Sequence, residues 1–81
     1  MPTPSRNNLI PLPDARAGQQ VRVAQIDGGQ DVRSRLCAMG LTPGMAVDVV
    51  SSTGGPVVLK VMGSRLMLGQ GMASKIMVRA L

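Results

Sequence analysis

Short segments in which apolar and polar residues alternate are separated by glycine-rich turns along most of this chain. They span residues 20–26, 46–51, 57–62, 65–68 and 76–81. An alternation with period two predicts strands that bury one face. Five short strands in a chain of 81 residues favour a small closed β-barrel, since closure removes the exposed edges of a sheet. SH3-like and OB-like barrels both fit this strand count, and Gly63-Ser64 has the form of a two-residue hairpin turn.

One segment departs from the β pattern and predicts a single inserted α-helix at about residues 31–39. Its apolar stripe has helical spacing and comprises Val32, Leu36 and Met39. Asp31 is the predicted N-cap, because its carboxylate can accept hydrogen bonds from the free amides of the first turn. Gly40 is predicted to follow the helix as its C′ residue. A short 3-10 or helical turn is predicted at 72–75, and its place before the last strand favours the SH3-like barrel.

The domain organisation predicted from the sequence is simple. A flexible, polar N-terminal tail at residues 1–8 precedes a single domain at residues 9–81. Every apolar run is far shorter than the stretch of about 20 residues that a helix needs to span a bilayer. Cys37 is the only cysteine, so it cannot form an internal disulfide, which fits a reducing compartment. These features predict a cytoplasmic protein that does not insert into a membrane.

The residue types that are missing exclude most enzyme chemistry. The chain has no His, Glu, Phe, Tyr or Trp. It therefore lacks the usual general acids and bases, and it contains no Ser-His-Asp or Cys-His pair. The sequence predicts a protein that is not an enzyme.

Two acidic residues, Asp27 and Asp31, are the closest carboxylate pair in the sequence and the only weak candidates for binding a metal. Hard cations need more oxygen ligands than two carboxylates supply. The simpler interpretation is that Asp27 serves a turn while Asp31 caps the helix. We therefore expect no cofactor, apart from a divalent metal held weakly or between molecules in a crystal.

The sulfur-containing residues are predicted to fill the core in place of aromatic ones. Met is flexible enough to occupy irregular gaps, and five of the seven methionines have spacings typical of core or half-buried positions, namely Met39, Met62, Met67, Met72 and Met77. Cys37 flanks the apolar stripe of the helix and is predicted to be a small packing residue. Exposed methionines would instead suit an adaptable protein-binding surface.

The formal net charge of +5 favours acidic partners, which include nucleic acid, an anionic membrane face and an acidic protein surface. An ordinary soluble protein also keeps its net charge away from zero. Small barrels that bind nucleic acid stack the bases on aromatic side chains, and this chain has none. Nucleic acid is therefore disfavoured, although a small basic nucleic-acid-binding barrel stays the alternative function.

The segment from Leu36 to Gly44 reads L-x-x-M-G-L-x-P-G. Gly55-Pro56, the segment 63–69 and the pattern A-x-x-I-x-V, which begins at Ala73, follow it in that order. Over residues 9–81 this arrangement resembles the FeoA family of accessory proteins of bacterial ferrous iron transport. The resemblance implies an SH3-like barrel with a helical insertion. It also implies a partner, the membrane permease FeoB, which carries a cytosolic GTP-binding domain.

The outer face of the predicted helix is the candidate docking surface for such a partner. It comprises Arg33, Ser34, Arg35, Cys37 and Ala38. A rigid, mildly basic helix face suits an acidic protein, whereas ordinary solvated helix residues would give the same pattern. Three functions are therefore carried forward: a transport accessory protein, a nucleic-acid-binding barrel, and a regulatory domain that binds a peptide or weakly binds its own copy.

Overall fold

The computed structural model describes residues 9–81 as one antiparallel β-sheet with one main helix. The predicted tail at 1–8 lies outside the described residues. The strands are β1 (Ile10–Pro11), β2 (Gln20–Ile26), β3 (Ala46–Ser51), β4 (Val57–Val61), β5 (Ser64–Leu68) and β6 (Ile76–Ala80). The helices are a short 3-10 helix (Leu12–Asp14), α1 (Gln30–Ala38) and α2 (Gln70–Ala73). None of these helices is long and apolar enough to cross a bilayer.

The sheet has the strand order β1-β6-β2-β3-β4-β5, and all its pairs are antiparallel. The predicted mostly β, SH3-like architecture with one inserted helix is confirmed. Two details of the predicted barrel were wrong. The sheet has six strands rather than five, and strand pairing does not close it into a barrel, because β1 and β5 are its edge strands. The sixth strand escaped prediction because β1 has only two residues, Ile10 and Pro11, which pair with Val78 and Met77.

The turn before the last strand is the four-residue α-helix α2. The 3-10 helix lies instead directly after β1, where Pro11 precedes it and Pro13 lies inside it. Proline fixes its own φ near the helical value and needs no hydrogen-bond acceptor, which suits the first turn of a helix. The predicted turn before β6 is therefore present but begins two residues earlier than expected, at Gln70, and the helical turn near the N-terminus was not predicted.

The core consists of aliphatic side chains that alternate along the strands. The fully enclosed ones include Val21, Leu36, Leu41, Val47, Leu59, Ile76 and Val78. The prediction of core or half-buried methionines is wrong for Met39, Met62 and Met67, which are 40%, 82% and 64% exposed. It is correct for Met72 and Met77, which are half-buried. The compact Val, Leu and Ile side chains fill this thin core, so the long, flexible methionines lie at its margin and outside it.

The hairpin between β4 and β5 turns one residue earlier than predicted. Its two central residues are Met62 (φ 50°) and Gly63 (φ 84°), not Gly63 and Ser64. Positive φ at both positions is the geometry of a type I′ turn, whose twist matches that of the flanking strands. The prediction failed because Met62 is a residue that seldom adopts positive φ.

Candidate functional site

Helix α1 begins one residue earlier than predicted, at Gln30, and ends at Ala38. Its N-cap is Gly29, which provides no side-chain hydrogen bond, so the predicted capping role of Asp31 is wrong. Asp31 instead lies inside the first turn. A carboxylate at this place still interacts favourably with the positive end of the helix dipole.

The C-terminal end of α1 is closed by a Schellman motif. The amide of Gly40 donates to the carbonyl of Cys37 at 2.9 Å, and the amide of Leu41 donates to that of Leu36, also at 2.9 Å. Gly40 has φ +90°, which confirms its predicted place after the helix. Because the chain reverses at Gly40, Leu41 enters the same buried core cluster as Leu36, whereas Met39 of the predicted stripe is 40% exposed.

The five candidate docking residues of α1 are all exposed: Arg33, Ser34, Arg35, Cys37 and Ala38. The helix buries Leu36 fully and Val32 partly, so most of its surface faces outward. The expectation that Cys37 packs inside is wrong, since its thiol is exposed. Arg33 and Cys37 lie one turn apart on the same helix face.

A groove of about 290 Å³ lies between α1 and β2. Arg33 and Cys37 form its helical wall, and residues 24–26 of β2 form the opposite wall. Leu41, Thr42 and Pro43 of the loop after α1 complete the lining. The candidate docking surface is thus divided: two of its residues line a groove, whereas Ser34, Arg35 and Ala38 are not part of this lining.

A second groove, of about 230 Å³, adjoins the first along β2. Arg22, Val23, Ala24, Gly44 and Arg79 line it. The sheet register pairs Arg22 of β2 directly with Arg79 of β6, and an Arg22 Nη1 donates to the carbonyl of Gly44 at 3.0 Å. Sequence reasoning missed this arginine pair, because residues 57 positions apart are brought together only by strand order and register, which the alternation pattern does not define.

The two metal candidates are exposed carboxylates at the entrance to α1. The amide of Asp27 donates to the carbonyl of Lys75 at 2.6 Å, which ties this turn to the loop before β6. Over residues 9–81 no three His, Cys, Asp or Glu side chains come close enough to hold a metal together. Asp27 and Asp31 could together supply two carboxylates, and they stay no more than the weak metal candidates predicted from the sequence.

Comparison with known proteins gives one family and a consistent fold. A family model described as the FeoA domain matches residues 10–80. A Methanocaldococcus jannaschii protein named as a candidate Fe(2+) transport protein A is 39% identical over 70 residues, which cover 86% of this chain and 85% of that protein. The crystal structure of an iron uptake regulatory protein (FeoA) has a TM-score of 0.83 and 40% identity, and the match covers 90% of this chain and 97% of that one.

Regulatory proteins share the fold at lower identity. A manganese-dependent transcriptional repressor matches with a TM-score of 0.83 and 22% identity, over 99% of this chain and 44% of the repressor. At this level of identity the match shows a common fold and says nothing about a common activity.

Proposed function

Because the chain belongs to the FeoA domain family, we propose that it is a non-enzymatic accessory protein that regulates ferrous iron transport by binding another protein. The family implies a role in ferrous iron transport. The partner that we propose is the cytosolic region of an FeoB-type permease with its GTP-binding domain, which places this protein in the cytoplasm. The observation that carries the proposal is the family match over nearly the whole folded domain, at residues 10–80.

The exposed surface of α1 supports a docking role. Arg33 and Arg35 give this surface positive charge, and both are exposed. Electrostatic complementarity of this kind raises the rate of association and suppresses wrong partners. The Schellman motif and the buried pair Leu36 and Leu41 fix the helix end, so the surface is held in one orientation before the partner arrives.

The donor chemistry of the chain supports regulation rather than iron carriage. Sites that retain Fe(II) commonly use imidazole and carboxylate ligands, and the sequence offers no His and no Glu. Binding of the accessory protein would then act by favouring one conformational or GTPase state of the permease. A tight, stoichiometric Fe(II) site in the isolated monomer would refute this regulatory mechanism.

The test is crosslinked affinity capture from native cells, with the bound proteins identified by mass spectrometry. We expect the wild-type protein to enrich a ferrous iron permease that has a GTP-binding domain. A double charge reversal in α1, Arg33→Glu with Arg35→Glu, should reduce that enrichment. Arg65→Glu is the matched control, because it reverses the same charge on the edge strand β5. Equal capture by all variants would rule out the helix surface as the docking site.

The same capture experiment also tests the alternative function, that of a basic barrel that binds nucleic acid. That function predicts enrichment of nucleoprotein that disappears after nuclease treatment. It also predicts an affinity for DNA or RNA that falls steeply with salt, since binding releases counterions from the phosphates. Self-association is checked on the purified protein by analytical ultracentrifugation over a range of concentrations.

A further inference from the structure

The two grooves lie next to each other along β2, and together we call them the β2 trough. They share Ala24 on the side of β2. On the opposite side, Pro43 borders the first groove and the adjacent residue Gly44 borders the second.

The shape of the trough suits a segment of extended chain. Val23 exchanges backbone hydrogen bonds with the loop before β3: its amide donates to Met45 at 2.8 Å, and Gly44 donates to its carbonyl at 2.7 Å. The first groove begins at the next residue, Ala24, while pairing with β6 on the other side continues to Ile26. The groove therefore lies where a further strand would run, and an extended peptide can add to a sheet at such a place.

The charge of the trough is positive at both ends. Arg22 and Arg79 lie directly opposite each other at one end, and Arg33 lies at the other. Like charges in this cross-strand position destabilise a sheet, and a bound anion would relieve that repulsion. Among the described residues that line the two grooves, none is acidic.

We propose that the β2 trough binds an extended acidic segment of the partner, with one carboxylate at Arg22 and Arg79 and a second at Arg33. A bulge between Val23 and Gln25 places Arg22 opposite Arg79 and Ile26 opposite Ile76, so this stretch spans three residues of β6, or about 10 Å. We therefore expect the two acidic residues about three to four positions apart in the bound segment. This inference rests on the proposed function, because it names the kind of partner segment that docks. It moves the centre of docking from the outer face of α1 to the groove beside it.

The first experiment uses a peptide probe and the full chain. A fluorescein-labelled peptide, Ser-Glu-Val-Ala-Thr-Glu-Ser, is titrated with protein and followed by fluorescence anisotropy. We expect saturable binding that weakens at least about tenfold in Arg33→Glu and in Arg79→Glu. The matched control is Arg65→Glu, which reverses the same charge on the exposed edge strand β5, outside both groove linings, and should bind within about twofold of wild type.

Three outcomes would overturn the inference. One is the absence of binding up to millimolar protein, and another is equal binding of a probe with Gln in place of both Glu residues. The third is an equal loss in Arg65→Glu, which would indicate an effect of net charge alone. Circular dichroism checks that each variant is folded. If Arg33→Glu does not fold, a folded Arg79→Glu variant still tests the proposal.

A second measurement separates this inference from the proposed function. The same variants are used to capture the permease from detergent extracts. If wild type and the two trough variants capture the permease equally well, the trough is not its docking site, and the proposed accessory role is unaffected. If the trough binds the acidic probe but the wild-type protein captures no permease, the proposed partner is wrong, whereas the proposal that the trough binds acidic peptides is supported.

Discussion

Replacing Met62 should make this protein more stable. Met62 has φ 50°, and a left-handed backbone costs a residue with a Cβ about 1–2 kcal/mol. Its side chain is 82% exposed, so removing it sacrifices less than about 0.5 kcal/mol of burial. Asparagine followed by glycine is the preferred pair for a type I′ turn. For Met62→Asn we therefore expect a net gain of about 0.5–1.5 kcal/mol, which raises Tm by about 2–12 °C in a domain of this size.

The measurement is thermal and urea unfolding followed by far-ultraviolet circular dichroism, since the chain has no Trp or Tyr to report by fluorescence. Met62→Ala isolates the loss of the side chain, because alanine keeps the strained backbone, and it should be neutral or slightly destabilising. Met67→Asn is the positional control: Met67 is also exposed, but it lies within strand β5, where asparagine is unfavourable. If Met62→Asn unfolds at or below the Tm of Met62→Ala, the argument from backbone strain is refuted.

Four further changes test other contacts. Gly40→Ala should destabilise the protein by about 1–2 kcal/mol through its φ of +90° alone, since an added Cβ would meet Val61 at an ordinary 3.7 Å; urea unfolding measures the loss. Ser52→Ala should cost about 1–3 kcal/mol, because the buried Ser52 hydroxyl donates to the carbonyl of Ala15 at 2.5 Å, and an unchanged urea midpoint would contradict this. Arg79→Glu should raise stability by about 0.2–1 kcal/mol by turning a like-charge pair into an opposite one, a gain that must shrink in added salt during thermal unfolding. Leu36→Ala should cost about 2–5 kcal/mol, and loss of the α1 signals in NMR spectra while the strand signals persist would show that the helix detaches first.

The features that depend on local pattern were predicted well. Alternation located most strand positions, because one face of each strand is buried and the sequence must repeat with period two. Gly40 marked the end of α1, since few other residues adopt its backbone conformation. These predictions required no knowledge of which strands pair.

The features that depend on tertiary arrangement were missed for a common reason. The pairing of Arg22 with Arg79 follows from the order and register of β2 and β6, which alternation alone does not define. The exposure of Met62 follows from a turn one residue earlier than glycine placement suggested. Only part of the site was therefore predictable: the helix residues were identified, but the neighbouring β2 wall was not.

The position of α1 links the stability of the fold to the proposed docking surface. A helix of nine residues is too short to be stable by itself in water. It is held mainly by the burial of Leu36, the partial burial of Val32 and the Schellman motif at Gly40. Because Arg33 and Cys37 form one wall of the trough, any change that releases the helix also removes that wall. Binding of an acidic segment would in turn hold the helix in place, since a ligand stabilises the state to which it binds.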